Sequence, residues 1–347
     1  MQLKIGDLFA NPDYHLYAFE GDQAVFLDMD RPAYERSIFV DGRVQPASKR
    51  LLRIPVAPLA AFNDQRPAGS SADPGWIFHV AHCGSTLLAR ALDRPGRLLS
   101  VREPMPLRQL GVEAACGRPA PQDWAARLRL ARSMLGRRYP NEEGVVAKAN
   151  VPVNAILPAL TAGRPDVRAI ALYFPLESYL AAILRSPNHR RWVESVTTEM
   201  AGAIDPELIG LEQPTTAQRA TALWLFQIRA FDHLLGDCPQ TFSLDADTLF
   251  NAPRDSVSAA ADLFRAPVEA KALDAIVGGP LFARYSKRPD VAFSNADRLA
   301  RRAGDLDSLG DELRSARRFL EARLAAAPLP ARLARPLTGE APALFGA

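Results

Sequence analysis

Short apolar runs alternate with segments of helical period along most of this 347-residue chain, beginning near Trp76. The runs Trp76–Val80, Leu98–Val101, Gly144–Lys148, Arg168–Tyr173 and Thr241–Leu244 are rich in Val, Ile, Leu and Ala and predict strands. Between them, apolar positions recur at helical spacing near Gln122–Tyr139, Val153–Ala162, Glu177–Leu184, Thr216–Leu235 and Arg254–Phe264. This alternation predicts an α/β fold, with a mostly parallel central sheet, helices on both faces and ligands at the carboxyl ends of the strands.

The pattern changes at both ends. Residues 1–72 carry short β-like pieces, Ala24–Leu27 and Ser37–Val40, and run into a linker-like Arg66-Pro-Ala-Gly-Ser-Ser-Ala-Asp-Pro74. They are expected to form a β-rich appendage packed on a core spanning 73–290. Within 291–347, Asn295–Ala327 predicts one or two amphipathic helices serving as a cap. The Pro- and Ala-rich stretch from Pro328 onward is expected to be loose, and no internal repeat is present.

Composition narrows the function classes. A hydrophobic fraction of 48% supports a sizeable buried core, while the apolar runs are too short and interrupted to span a membrane. The first ten residues lack the basic start and apolar stretch of a secretory signal, so the cytoplasm is the expected compartment. Three cysteines, Cys83, Cys116 and Cys238, are too few for a disulfide framework and are expected as thiols. No two of the five histidines have metal-helix spacing, so no metal is expected. A net charge of +3 suits an anionic ligand but is too mild to imply nucleic acid. Oligomeric state is not legible.

The densest chemistry lies where the first core strand meets a helix, in His79-Val-Ala-His-Cys-Gly-Ser-Thr-Leu-Leu88. A turn of this kind presents successive N–H groups and a helix start to one point, which suits a phosphate or sulfate. Gly84 permits close backbone approach, and Ser85 and Thr86 add hydroxyl donors. The G-x-x-x-x-G-K-[ST] pattern of ATP- and GTP-binding loops is absent, which disfavours an ordinary ATPase or kinase. A plain strand-turn-helix corner remains the alternative.

This loop resembles the 5′-phosphosulfate loop of the sulfotransferase superfamily, with Ala81, His82, Cys83, Gly84, Ser85, Thr86, Leu87 and Leu88 at the corresponding positions. Four further segments resemble that family in the same order, across roughly residues 75–290. Glu142–Pro152 is similar to its strand ending in Lys-Thr-His-Leu-Pro, placing Lys148 on the lysine, Pro152 on the proline and Asn150 where cytosolic members carry their catalytic histidine. Asn150 cannot accept a proton at neutral pH. Glu103 follows Cys83 at an interval similar to that of the catalytic glutamate in tyrosylprotein sulfotransferases. The resemblance therefore implies Glu103 as the base, unless it only braces Arg102 or Arg108. Lys148 is implied as a neutraliser of sulfuryl oxygens, unless it merely reaches solvent from a strand end.

Two segments depart from the family. Its Arg and Ser that hold the donor's 3′-phosphate fall here on Tyr173 and Ala181, leaving Arg185, His189, Arg190 or Arg191 as replacements. Phe282–Arg288 lies where the family has a late basic loop, making Arg284, Lys287 and Arg288 candidate contacts. Leu244–Pro253 resembles the family's Tyr-Glu-Asp-Leu segment, its aspartates capping a helix.

Taken together, the resemblance implies a P-loop NTPase-like three-layer fold. Its implied activity is transfer of a sulfuryl group from 3′-phosphoadenosine 5′-phosphosulfate to a hydroxyl or amine of a small-molecule or carbohydrate acceptor, without a metal. The implied site comprises Glu103, Lys148 and His82 as catalytic groups, with His82, Cys83, Gly84, Ser85, Thr86, Leu87, Arg185, Arg284 and Lys287 around the donor. A non-catalytic anion-binding protein, or another nucleotide-dependent transferase or kinase, would share the scaffold.

Overall fold

The computed structural model describes residues 3–67, 73–118 and 120–346; most of the expected linker between Arg66 and Pro74 lies outside them. Three strands, β1 (Tyr14–Glu20), β2 (Gln23–Asp28) and β3 (Leu51–Pro55), form an antiparallel sheet in chain order. The core strands are β4 (Gly75–His79), β5 (Leu98–Arg102), β6 (Gly144–Lys148), β7 (Ala169–Tyr173) and β8 (Thr241–Asp245). They form one parallel sheet in the order β5-β6-β4-β7-β8. A short hairpin, β9 (Arg284–Tyr285) and β10 (Arg288–Ala292), follows the core.

Every residue of β5 and β7 is buried, as expected of strands covered on both faces by helices. The chain leaves β4 for β5 and β6 on one side, then crosses to β7 and β8 on the other, so the strand order reverses beside β4. Such a reversal opens a crevice at the carboxyl ends of the strands, where the Gly-Ser-Thr loop follows β4.

Two helices fix that crevice. Thr216–Asp237 starts with a reciprocal Thr215/Gln218 cap and buries Trp224, whose indole N–H donates to the Phe174 carbonyl (2.9 Å), just past β7. Met105–Ala115, which the periodicity did not single out, packs so closely on the following 3-10 turn Val151–Ile156 that a Cβ on Gly111 would sit 2.5 Å from the Pro152 carbonyl oxygen. Glycine is what lets the backbones meet, and the contact fixes the end of β5 relative to the end of β6.

The N-terminal sheet shares one hydrophobic core with the parallel sheet. Its attachment includes a buried ionic network: Arg31 bonds Glu142 (2.7 Å) and Asp93 (2.8 Å), and Asp93 also bonds Arg102 (2.8 Å).

Three expectations need correction. Ser37–Val40 is not a strand: Val40 N–H donates to the Arg102 carbonyl (2.7 Å), and Arg102 holds the Ser37 carbonyl (2.7 Å), which folds the segment over the end of β5. The segment from Pro328 is not loose. It runs along β8, with Ser243 N–H donating to the Arg335 carbonyl (2.9 Å) and Leu337 N–H to the Ser243 carbonyl (2.7 Å), and it buries Leu333 and Leu344. Val153–Ala162 is 3-10 to Ile156 and α-helical only over Leu157–Thr161, with prolines near both starts. The expected cap is two helices, Asn295–Ser308 and Gly310–Ala326, the second packing Phe319 and Leu320 on the core. No helix among the described residues is long and apolar enough to cross a membrane.

Candidate active site

The loop after β4 is built from unusual backbone. Ala81 (φ 71°), His82 (φ 51°) and Gly84 (φ 85°) are all left-handed, a conformation that costs non-glycine residues on the order of 1–2 kcal/mol. Such turns gather N–H groups into an anion-binding concavity. The helix Ser85–Leu92 starts at once, and its first internal bond runs from Leu88 N–H to the Gly84 carbonyl (3.0 Å). The N–H groups of Ser85, Thr86 and Leu87 therefore stand outside the helical ladder at the positive end of its dipole. Thr86 Oγ1 is buried without a protein partner, while the Cys83 thiol turns inward to the Leu172 carbonyl (3.7 Å) and burial pushes it up to about 11. Cys83 and Leu87 thus offer backbone rather than side chains, since Leu87 is itself buried.

His79 braces the loop from below. Ala81 N–H donates to its Nδ1 (2.9 Å), so Nε2 carries the hydrogen given to the Ala149 carbonyl (2.8 Å). Burial, then the charges of Lys148 and Lys287, holds His79 neutral, well below the usual histidine range. It is a strut between β4, the loop and β6.

Lys148 ends β6 with none of its side chain exposed, so it does not reach solvent. It pairs with Glu103, whose backbone N–H donates to the Lys148 carbonyl (2.7 Å) and whose left-handed φ of 57° turns it back toward β6. Arg102 and Arg108 do not brace Glu103. Arg102 is spent on Asp93 and on the backbone of 34–38, and Arg108 pairs with Glu199. Glu103's second partner is Arg43 (3.2 Å), from the N-terminal appendage.

Arg43 and Phe39 are the site residues that sequence reasoning missed. The Phe39 ring lies under three cations: the Arg43 guanidinium at 3.8 Å, Lys148 Nζ at 5.3 Å and Lys287 Nζ at 5.8 Å from its centroid. Lys287 lies on the exposed hairpin turn, and desolvation of its ammonium followed by the Lys148 charge brings it down to about 8. The only sequence signal was Asp41-Gly-Arg43 after an apolar triplet, which reads as any turn.

Within the loop itself, the His82 ring packs at a 48° tilt on His189 with centroids 4.1 Å apart and meets Trp192 edge-on at 5.9 Å. Burial, followed by the charges of Lys287, His189 and Arg185, holds His82 well below its ordinary value. Cations that depress one another around a concave row of N–H groups make a site whose electrostatics favour an anion.

The remaining candidates are dispersed. Arg190 forms a two-bond pair with Glu312 (2.8 Å each), Arg191 bonds Asn188, and Arg284 turns to the Pro289 carbonyl (2.9 Å) within its own hairpin. Arg185 is exposed, and Tyr173 and Ala181 are buried in the core. Asn150 is buried with Oδ1 unpaired. Asp245 caps the helix Ala246–Asn251 by accepting from Thr248 N–H (2.9 Å). Among the described residues, no three His, Cys, Asp or Glu side chains gather as a metal site.

Comparison by sequence finds no matching family and no matching curated protein. Solved structures similar to this chain include two sulfotransferases. One is the sulfotransferase domain from the curacin biosynthetic pathway, at 16% identity and a TM-score of 0.41, covering 74% of this chain and 99% of that one. The other is a sulfotransferase from Alicyclobacillus acidocaldarius, at 14% identity and a TM-score of 0.35, covering 64% of this chain and 98% of that one.

Proposed function

We propose that this protein is a sulfuryl transferase using 3′-phosphoadenosine 5′-phosphosulfate, with a hydroxyl or amine as acceptor. The observation that carries the reading is the fully buried Lys148 ammonium beside a left-handed N–H loop that lacks an ATP-type lysine. In this reading the loop N–H groups, Ser85 and Thr86 hold the phosphosulfate, and Lys148 and Lys287 balance the charge on the sulfuryl oxygens. The acceptor oxygen or nitrogen forms a bond to sulfur, the bond from sulfur to the bridging oxygen breaks, and adenosine 3′,5′-bisphosphate leaves. Glu103 takes the acceptor's proton. Positioning and charge stabilisation supply most of the acceleration, as in phosphoryl transfer.

A second reading, a non-catalytic anion-binding protein, draws on the burial of Tyr173 and Ala181, which removes the usual 3′-phosphate anchor. Titration with adenosine 3′,5′-bisphosphate, ATP and GTP separates the two. Selective binding of the bisphosphate supports the transferase, selective ATP or GTP binding points to another nucleotide enzyme, and no nucleotide binding favours the second reading. Lys148→Ala should abolish slow hydrolysis of the donor in the absence of acceptor.

A further inference from the structure

The Glu103–Lys148 pair creates a conflict within the proposed site. Lys148 has no solvent exposure, and among the described residues Glu103 is the acceptor its ammonium bonds. An oxyanion on the loop draws on that same ammonium, which has three N–H donors but a single charge, and two anions gathered on it without solvent repel one another. Arg43, by contrast, is already fixed. Its plane rests 3.8 Å from the Phe39 centroid, its Nε donates to Asp41 Oδ1 (2.9 Å), and its Nη2 holds both Asp41 and Glu103 Oε2. The two oxygens of Glu103 are therefore held by different cations, one inside the crevice and one from the appendage.

We propose that Glu103 is an internal competitor for Lys148, and that Arg43 is the positioning residue that retains the carboxylate once an oxyanion takes the ammonium. Exchange at Lys148 frees Glu103 Oε1 beside the bound anion while Oε2 stays on Arg43. The carboxylate becomes able to accept a proton only after the anion is in place, so anion binding precedes activation of an acceptor. No bond is made or broken in this exchange; one ion pair replaces another. The inference rests on the reading of the loop as an oxyanion site and deepens it by giving the appendage a role in the order of events.

The probe is inorganic sulfate, titrated against the full chain as wild type and as Glu103→Asp, Glu103→Gln, Arg43→Met and Arg43→Met/Glu103→Gln, with near-ultraviolet dichroism confirming the fold of each. Glu103→Asp keeps the charge but shortens its reach to Lys148, and should bind sulfate roughly five- to tenfold more tightly than wild type, on the scale of one weakened charge-assisted bond. Arg43→Met should weaken sulfate binding about three- to tenfold in the wild-type background, and by less than twofold beside Glu103→Gln, because the two residues act through each other. Arg43→Lys should recover part of the loss. Unchanged affinity in Glu103→Asp overturns the competition. An equal loss from Arg43→Met in both backgrounds shows that Arg43 touches the anion directly and overturns its positioning role. Sulfate binding that behaves as expected in a protein that ignores adenosine 3′,5′-bisphosphate would sustain this inference while removing the donor; absence of sulfate binding from every variant removes both.

Discussion

His82 and His189, separated by more than a hundred residues in sequence, bring their rings into tilted contact, with centroids 4.1 Å apart and planes inclined by 48°. Burial first, and neighbouring charge second, keeps both below the ordinary histidine value of 6.5. An anion on the loop opposes those charges and raises proton affinity, so anion binding and proton uptake are linked. Sulfate affinity should therefore rise as pH falls, by up to roughly tenfold per pH unit for each proton taken up. Calorimetry in buffers of different ionisation heat reads that uptake, and His82→Asn should reduce it. A wild-type affinity that is flat between pH 5.5 and 7.5 would contradict the linkage.

Gly84 is constrained twice, by its φ of 85° and by Phe250, whose Cζ would lie 2.9 Å from an added Cβ. Gly84→Ala should destabilise the protein by about 1–3 kcal/mol and weaken sulfate binding. Adding Phe250→Ala removes the contact but not the backbone strain, so it should restore less than half of the lost sulfate affinity. Full recovery would show that the ring alone imposes glycine.

The Arg31–Asp93–Arg102–Glu142 network predicts a large effect from a small change. Asp93→Asn leaves two largely buried guanidinium groups short of a charged partner, which typically costs on the order of 3–5 kcal/mol. Denaturant unfolding followed by tryptophan fluorescence should show that loss in one transition shared by appendage and core. A cost below about 1 kcal/mol would mean that other contacts carry the junction.

His15 contributes one share of the pH slope of stability, beside His79 and His82, which burial also lowers. It is buried beside Tyr34 and lowered from 6.5 to about 3 by burial first and Arg137 second, so the unfolded chain takes up a proton that the folded one refuses. That contribution is intact above about pH 6.5 and is lost as pH falls toward 3, at roughly 1.4 kcal/mol per pH unit. His15→Gln should flatten this slope between pH 6 and 4 in thermal melts. A slope equal to that of wild type would assign the acid sensitivity elsewhere.

What the sequence revealed was what is local. The five core strands, the Gly-Ser-Thr loop and Lys148 at a strand end are written in contiguous apolar runs and in single turns. The 3-10 start at Val151 was hidden because Pro152 and Pro158 leave the apolar period intact while denying the backbone its α-helical bonds. The segment over β8 was hidden because a few backbone bonds, made by a Pro-rich stretch without periodicity, hold it in place. Arg43 was hidden for a different reason. It meets Glu103 across sixty residues of chain, through an irregular turn whose shape is set by Arg102 bonds to backbone carbonyls rather than by any pattern.

A cut of the chain before residue 73 would keep the loop, Lys148 and Glu103 yet strip away Phe39 and Arg43, the floor and one wall of the cation cluster. The cation cluster is thus shared property of two segments that look separable. Grafting a different appendage onto the same parallel sheet would change the charge beside Lys148 and Lys287 while leaving the loop after β4 untouched.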